Sequence, residues 1–105
     1  MRFNMPPWSK GKRMIDIGMS ARPRLRAHLR LQWDPVREKQ VLLGPEKVVV
    51  LNESAAAVLT RCDGQRTVSD IASDLGKQYQ RAVDDDVLTL LQRLAEKDLI
   101  EVDMP

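Results

Sequence analysis

The sequence predicts an α+β fold, a three-stranded antiparallel sheet followed by a three-helix bundle, and three observations predict it. Between residues 29 and 51, three short apolar or alternating stretches are separated by turn signals. From Asn52 onward, three apolar stripes at helical spacing each follow a polar start. The chain has 105 residues, 43% hydrophobic and 30% charged, which is room for one small domain with its own core.

The first strand runs from Leu29 to Trp33. Leu29, Leu31 and Trp33 alternate with Arg30 and Gln32, the pattern of a half-buried strand. Asp34-Pro35 marks a turn and Val36 to Glu38 a polar connection. Lys39 to Leu43 forms the second strand, Gly44-Pro45 a tight turn, and Lys47 to Leu51 the third. Connections this short favour an antiparallel meander. The third strand is apolar on both faces, Val48 and Val50 on one and Val49 and Leu51 on the other. A hairpin in so short a chain normally keeps one face wet, so a second cover is expected, either the protein's own helix or a partner.

Asn52 is a good N-cap for the first helix, and Glu53 suits its positive end. Ala55, Val58, Leu59 and Cys62 fall on one face, and Asp63-Gly64 is the expected stop. Thr67 with Asp70 is a weak form of capping box. Behind it Val68, Ile71, Ala72, Leu75 and Tyr79 form the second stripe, with Gly76 expected to end the helix near Lys77. The third helix starts at Asp84, Asp85 and Asp86. Val87, Leu90, Leu91, Leu94 and Asp98 share one broad face, with Leu88 and Ala95 beside it, more apolar surface than one seam requires. Leu99 to Asp103 alternates briefly as a terminal strand. This order suggests a winged-helix-like α+β domain.

Charge divides the chain. Residues 1–27 carry seven basic side chains (Arg2, Lys10, Lys12, Arg13, Arg22, Arg24 and Arg26) against Asp16, while residues 28–105 carry ten basic and fourteen acidic ones. Residues 1–21, punctuated by Gly11 and Gly18, read as a basic, flexible arm, and 22–105 as the folded domain. The lone Cys62 forms no internal disulfide and points to a reducing cytoplasm. The first residues are basic but lack a continuous apolar core followed by a small-residue cleavage site, so a secretion signal is not expected. No apolar run approaches the ~20 residues of a membrane span.

No catalytic site can be assembled. His28 is the single histidine, which leaves neither a histidine-based triad nor a histidine-rich metal site. Cys62 sits on an apolar helix face and reads as a small hydrophobe. The Asp84–Asp86 triplet lacks the ligand spacing and central glycine of a calcium loop. The glycines are too scattered to cradle a phosphate. No enzyme activity, cofactor or metal is expected. A winged-helix DNA-binding or regulatory module is the alternative. Its reading helix would be the third, which carries Asp84, Asp85, Asp86, Glu96 and Asp98 against only Arg93 and Lys97. A phosphate-facing element should be basic, so nucleic acid is not the expected partner.

The segments RPRL (22–25), VLLGPEKVVVLN (41–52), AAAVL (55–59) and CDGQRTV (62–68) together resemble the PqqD family, the pyrroloquinoline quinone (PQQ) biosynthesis proteins D. The resemblance covers about residues 22–103. One departure is Lys47, where the family often has glycine after Pro-Glu. The resemblance implies a small winged-helix-like peptide chaperone, a recognition element for ribosomal peptide modification. Such proteins bind the precursor peptide PqqA and present it to the radical S-adenosylmethionine enzyme PqqE, which cross-links a Glu and a Tyr in the peptide. In related recognition elements the peptide adds as a strand beside the third strand and the last helix. Carried to this chain, that implies a peptide site along Val48, Val49, Val50 and Leu51, facing Leu88, Leu91, Gln92 and Ala95. Of the apolar positions, Val48, Val50, Leu90 and Leu94 are assigned to the core, and Val49, Leu51, Leu88 and Leu91 to the groove. The chain is expected to be a monomer in solution, with a strand edge that would support a dimer in crystals.

Overall fold

The meander forms where the alternation predicts it. In the computed structural model, which describes residues 3–7 and 17–103, strands β2 (Arg30–Asp34), β3 (Lys39–Gly44) and β4 (Lys47–Val50) form an antiparallel sheet in the order β2-β3-β4. Asp34 shapes the first turn. Its carboxylate accepts from the Val36 and Arg37 N–H groups and pairs with the Arg37 guanidinium at 2.6 Å. The Arg37 bonds hold the Asp34 carboxyl below its usual range.

Three helices follow: α1 (Glu53–Leu59), α2 (Val68–Tyr79) and α3 (Asp84–Glu96). The Asn52 side chain caps α1 by accepting from the Ala55 N–H at 2.8 Å. Thr67 and Asp70 form the full reciprocal capping box at α2, so aspartate serves where glutamate is usual. The main-chain carbonyls of Ala21 and Met19 accept from the Val68 and Ser69 N–H groups at 2.9 Å each. They thereby take up donors that a helix start otherwise leaves open.

The helix ends differ from the sequence expectation. Helix α1 stops at Leu59, so Cys62 lies in the turn beyond it, although still buried. Gly64, at φ +78°, donates its N–H to the Pro23 carbonyl at 3.0 Å; the glycine belongs to this connection rather than to the helix cap. Helix α2 continues past Gly76 to Tyr79 and ends on Gln80 in the left-handed conformation. A Cβ at Gly76 would lie 3.3 Å from the Arg81 carbonyl oxygen, so the glycine gives room for the chain to turn back rather than ending the helix. Asp98 lies beyond α3, exposed and at φ +57°, and does not share the helix's apolar face.

A second sheet was not expected. Strand β1 (Arg22–Leu25) pairs antiparallel with β5 (Ile100–Asp103), so the described residues form two sheets rather than one. Arg24 sits opposite Glu101 and ion-pairs with it at 2.7 Å, and Arg22 sits opposite Asp103. This opposite-charge register aligns the pair.

The core joins Leu42 of the central strand and Leu51 to Val58, Leu59, Val68, Ile71, Leu75, Val87, Leu90, Leu91 and Leu94 of the helices, and to Leu99 and Ile100. Phe3, Ile17 and Ala21 belong to it as well. At these positions the N-terminal segment is part of the domain rather than a solvated arm. Arg2, Lys10, Gly11, Lys12, Arg13 and Asp16 lie outside the described residues.

Among the described residues, Cys62 is the interior group with the most strongly displaced protonation. Burial, assisted by Asp63, pushes its thiol up to about 12, and its Sγ lies 3.3 Å from the Val58 carbonyl. A thiol-exchange reagent at pH 8 is expected to label native protein at least about a hundredfold more slowly than unfolded protein. Equal rates would place Cys62 at the surface.

Candidate peptide-binding site

The register decides which residues of β4 face the interior. Leu42, 0% exposed, pairs with Val49 on one side and Leu31 on the other, so this row faces the helices. Val49 is half-buried and packs on the core, and Leu51 is 2% exposed. Val48 and Val50 point to the opposite face and are 58% and 36% exposed. The division expected from the sequence is therefore inverted. Val48 and Val50 are the outward residues, and Val49 and Leu51 the inward ones. Period-2 alternation separates two faces but does not say which is inside.

The same register orients the backbone. The Leu51 N–H donates to the Gln40 carbonyl at 3.0 Å, which makes Gln40–Leu51 a hydrogen-bonded pair. Because such pairs alternate, Leu42–Val49 is the next one, while Val48 and Val50 direct their main-chain groups away from β3. Strand β4 is an end strand of the described sheet. Around Val48 the outer face carries Leu43 beside it and Val41 and Val50 in the next row, with Arg30 and Gln32 on β2. Val41, in the middle of that face, is buried.

On α3 the expected groove residues separate. Leu91 is fully buried with Val87, Leu90 and Leu94 and belongs to the core, so its side chain offers no groove wall. Leu88, Gln92 and Ala95 are half-buried and follow i, i+4, i+7 spacing, a stripe along the margin of the buried face. Leu88, Ala95 and Val49 all pack on the same core cluster. Helix α3 makes its main contacts with α2 and β5. Glu96 pairs with Arg93 at 3.4 Å and Asp86 with Arg81 at 3.0 Å, so part of the helix's acidic excess is compensated locally.

Trp33 departs from expectation too, being 52% exposed. Its row, Trp33–Gln40–Leu51, lies at the end of the sheet beside the start of α1. There Trp33, Gln40, Leu51, Asn52, Glu53 and Ala56 line a cleft of about 320 Å³. Sequence reasoning assigned Trp33 to a buried face and missed this cleft; a tryptophan as the penultimate strand residue before Asp-Pro was the available signal. The β1–β5 pair was also missed, because Pro23 interrupts a strand pattern. The complementary charges of Arg22 and Arg24 against Glu101 and Asp103 were its legible trace. His28 is exposed in the turn before β2. No described helix is long and apolar enough to cross a membrane.

Residues 39–100, from β3 to the start of β5, match the family model of coenzyme PQQ synthesis protein D. A PqqA binding protein of Stutzerimonas stutzeri is 42% identical over 91 residues, covering 85% of this chain and 99% of the relative. One from Bradyrhizobium diazoefficiens is 39% identical over 90 residues, covering 83% of this chain and 87% of the relative. Among solved structures, the solution NMR structure of the PqqD truncation of Methylobacterium extorquens PqqCD superposes with a TM-score of 0.69 at 41% identity, covering 82% of this chain and 95% of that one. That protein is described as a functional, stand-alone recognition element for ribosomally synthesized and post-translationally modified peptides. Sequence match, length and fold agree, and the chain belongs to the PqqD family.

Proposed function

We propose that this chain is a non-catalytic peptide chaperone of PQQ biosynthesis, which binds the precursor peptide PqqA and presents it to the radical S-adenosylmethionine enzyme PqqE in the cytoplasm. The observation that carries the reading is the 42% identity to a PqqA binding protein across 99% of that relative's length. On this reading the β2–β4 sheet acts as the wing of a winged-helix-like domain whose last helix faces a peptide instead of a DNA groove.

The peptide adds as a strand along Val48–Leu51. An end strand offers main-chain donors and acceptors to any extended segment, while side-chain pockets select among sequences. Here Val48 contributes outward main-chain groups, and Val48 and Val50 flank the added strand on the outer face. Val49, Leu88, Gln92 and Ala95, all half-buried, form its inner wall. The Leu51 and Leu91 side chains support that wall from within the core.

Titration of isotope-labelled protein with PqqA, followed by backbone amide shifts, tests the placement. Saturable shifts are expected at Lys47–Val50 and at Leu88, Gln92 and Ala95, and addition of PqqE should carry labelled protein and peptide together into one larger species. Shifts spread evenly over the chain would remove the groove.

A further inference from the structure

Asn4 of the N-terminal segment is held by both of its main-chain groups. Its N–H donates to the Ser54 hydroxyl at 2.9 Å, and its carbonyl accepts from the Asn52 side-chain amide at 3.0 Å. The neighbouring Phe3 ring is buried and meets the Tyr79 ring edge-on, with centroids 5.4 Å apart and planes at 66°. The grip uses side chains of the β4–α1 junction rather than the helix's own N–H groups. It reads a main chain, and so takes an extended segment whatever its sequence, with an aromatic side chain as the anchor.

Two polar groups make this a built site. Ser54 is 1% exposed, a hydroxyl placed in an otherwise apolar, alanine-rich stretch of α1. Burial of a hydroxyl is costly without a partner, and Asn4 supplies one. The Tyr79 hydroxyl is also buried, and among the described residues it has no hydrogen-bond partner, its residue being only 5% exposed. The Phe3 ring, seated against the Tyr79 ring, has no atom that could hydrogen-bond that hydroxyl.

We infer that Asn52, Ser54 and Tyr79 form a docking position for an extended peptide, occupied in cis by Phe3–Asn4 and opened when a bound peptide displaces them. Asn52 directly follows the β4 stretch assigned above to PqqA, so an added strand and the N-terminal segment compete for one end of the same groove. The inference rests on the PqqA reading for the identity of the displacing peptide. It does not rest on that reading for the existence of the site.

The test uses full-length chains carrying Phe3→Ala or Asn4→Pro. The first removes the anchor, and the second removes the N–H that Ser54 accepts together with an exposed side chain, and fixes the backbone φ there. Each is titrated with PqqA and, separately, with a synthetic peptide of residues 1–8. With the cis segment released, PqqA is expected to bind about tenfold more tightly than to the unsubstituted chain, because binding no longer has to displace a competitor. The residue 1–8 peptide is expected to bind the variants in trans, with saturable amide shifts at Asn52, Ser54 and Tyr79, and to leave the unsubstituted chain unchanged. Unchanged or weaker PqqA binding by folded variants overturns the competition, and absence of trans binding overturns the site. If Phe3→Ala does not fold, Asn4→Pro decides, since Asn4 is itself exposed. If PqqA binds none of the chains, the PqqA reading fails, and the residue 1–8 peptide alone decides whether the site exists.

Discussion

Leu91→Asp is expected to leave this chain unfolded. Leu91 is 0% exposed, on the face of α3 that carries Val87, Leu90 and Leu94 into the core. Removing a buried leucine side chain costs about 2–5 kcal/mol by itself. A carboxylate in its place would be cut off from solvent and must either protonate or draw water into the core, which adds several kcal/mol more. Domains of this size hold only about 5–15 kcal/mol in total, so the substitution exhausts most or all of it. Amide dispersion and the thermal transition should both be lost. Leu88→Asp, one turn earlier on the half-exposed stripe, should keep the fold and weaken PqqA binding instead. A folded Leu91→Asp variant with native dispersion would mean that α3 is rotated about its axis relative to this structure.

Val48→Pro is expected to keep the fold and to weaken PqqA binding about tenfold. Proline deletes one main-chain N–H, and at Val48 that N–H points away from β3, so the β3–β4 ladder stays intact. The side chain is 58% exposed, so little packing is lost. A peptide strand added to this edge would lose a hydrogen bond worth about 1.4 kcal/mol, which is about tenfold in Kd. Val49→Pro is the control. It removes an N–H directed at β3 and a side chain packed on the core, and it should destabilise the domain with or without peptide. Unchanged PqqA affinity in Val48→Pro, measured by calorimetry on protein with an unaltered thermal transition, would move the peptide off this edge.

Both predictions turn on a distinction that the sequence leaves open. Val48–Leu51 is apolar at every position, so alternation shows two faces without marking either as interior. Only the pairing of Val49 with the fully buried Leu42 marks it. On α3 the stripe 87, 90, 91, 94 was legible from spacing, yet the boundary between Leu91 and Leu88 was not. A helical face has no sharp edge in sequence, and the neighbours that set it come from other elements. Where a local residue choice carries the signal, the reading holds. Asn52 caps α1, the Thr67–Asp70 box caps α2, and the three aspartates open α3.

Gly76 and the β1–β5 pair show the opposite case. Glycine near a helix end reads as a stop, but here it makes room for the returning Arg81 carbonyl, a contact set by the path of the chain after α2. Arg22–Leu25 reads poorly as a strand because of Pro23, and it becomes one because Ile100–Asp103 is brought alongside from the other end of the chain. Loop-closed, long-range pairings of this kind leave only weak local traces.

By itself, then, the sequence determined the α+β class, the meander, the three helices with the caps of the first two, and through its matching segments the family. These rest on local periodicity, capping chemistry and turn residues, each of which acts within a few positions along the chain. The tertiary structure decided which valines of β4 look outward, that Leu51 and Leu91 are core, that a second sheet joins the two ends of the domain, and that Phe3 and Asn4 sit against Tyr79, Ser54 and Asn52. Those outcomes depend on which surfaces meet, and burial is a property of the assembled fold rather than of any one segment.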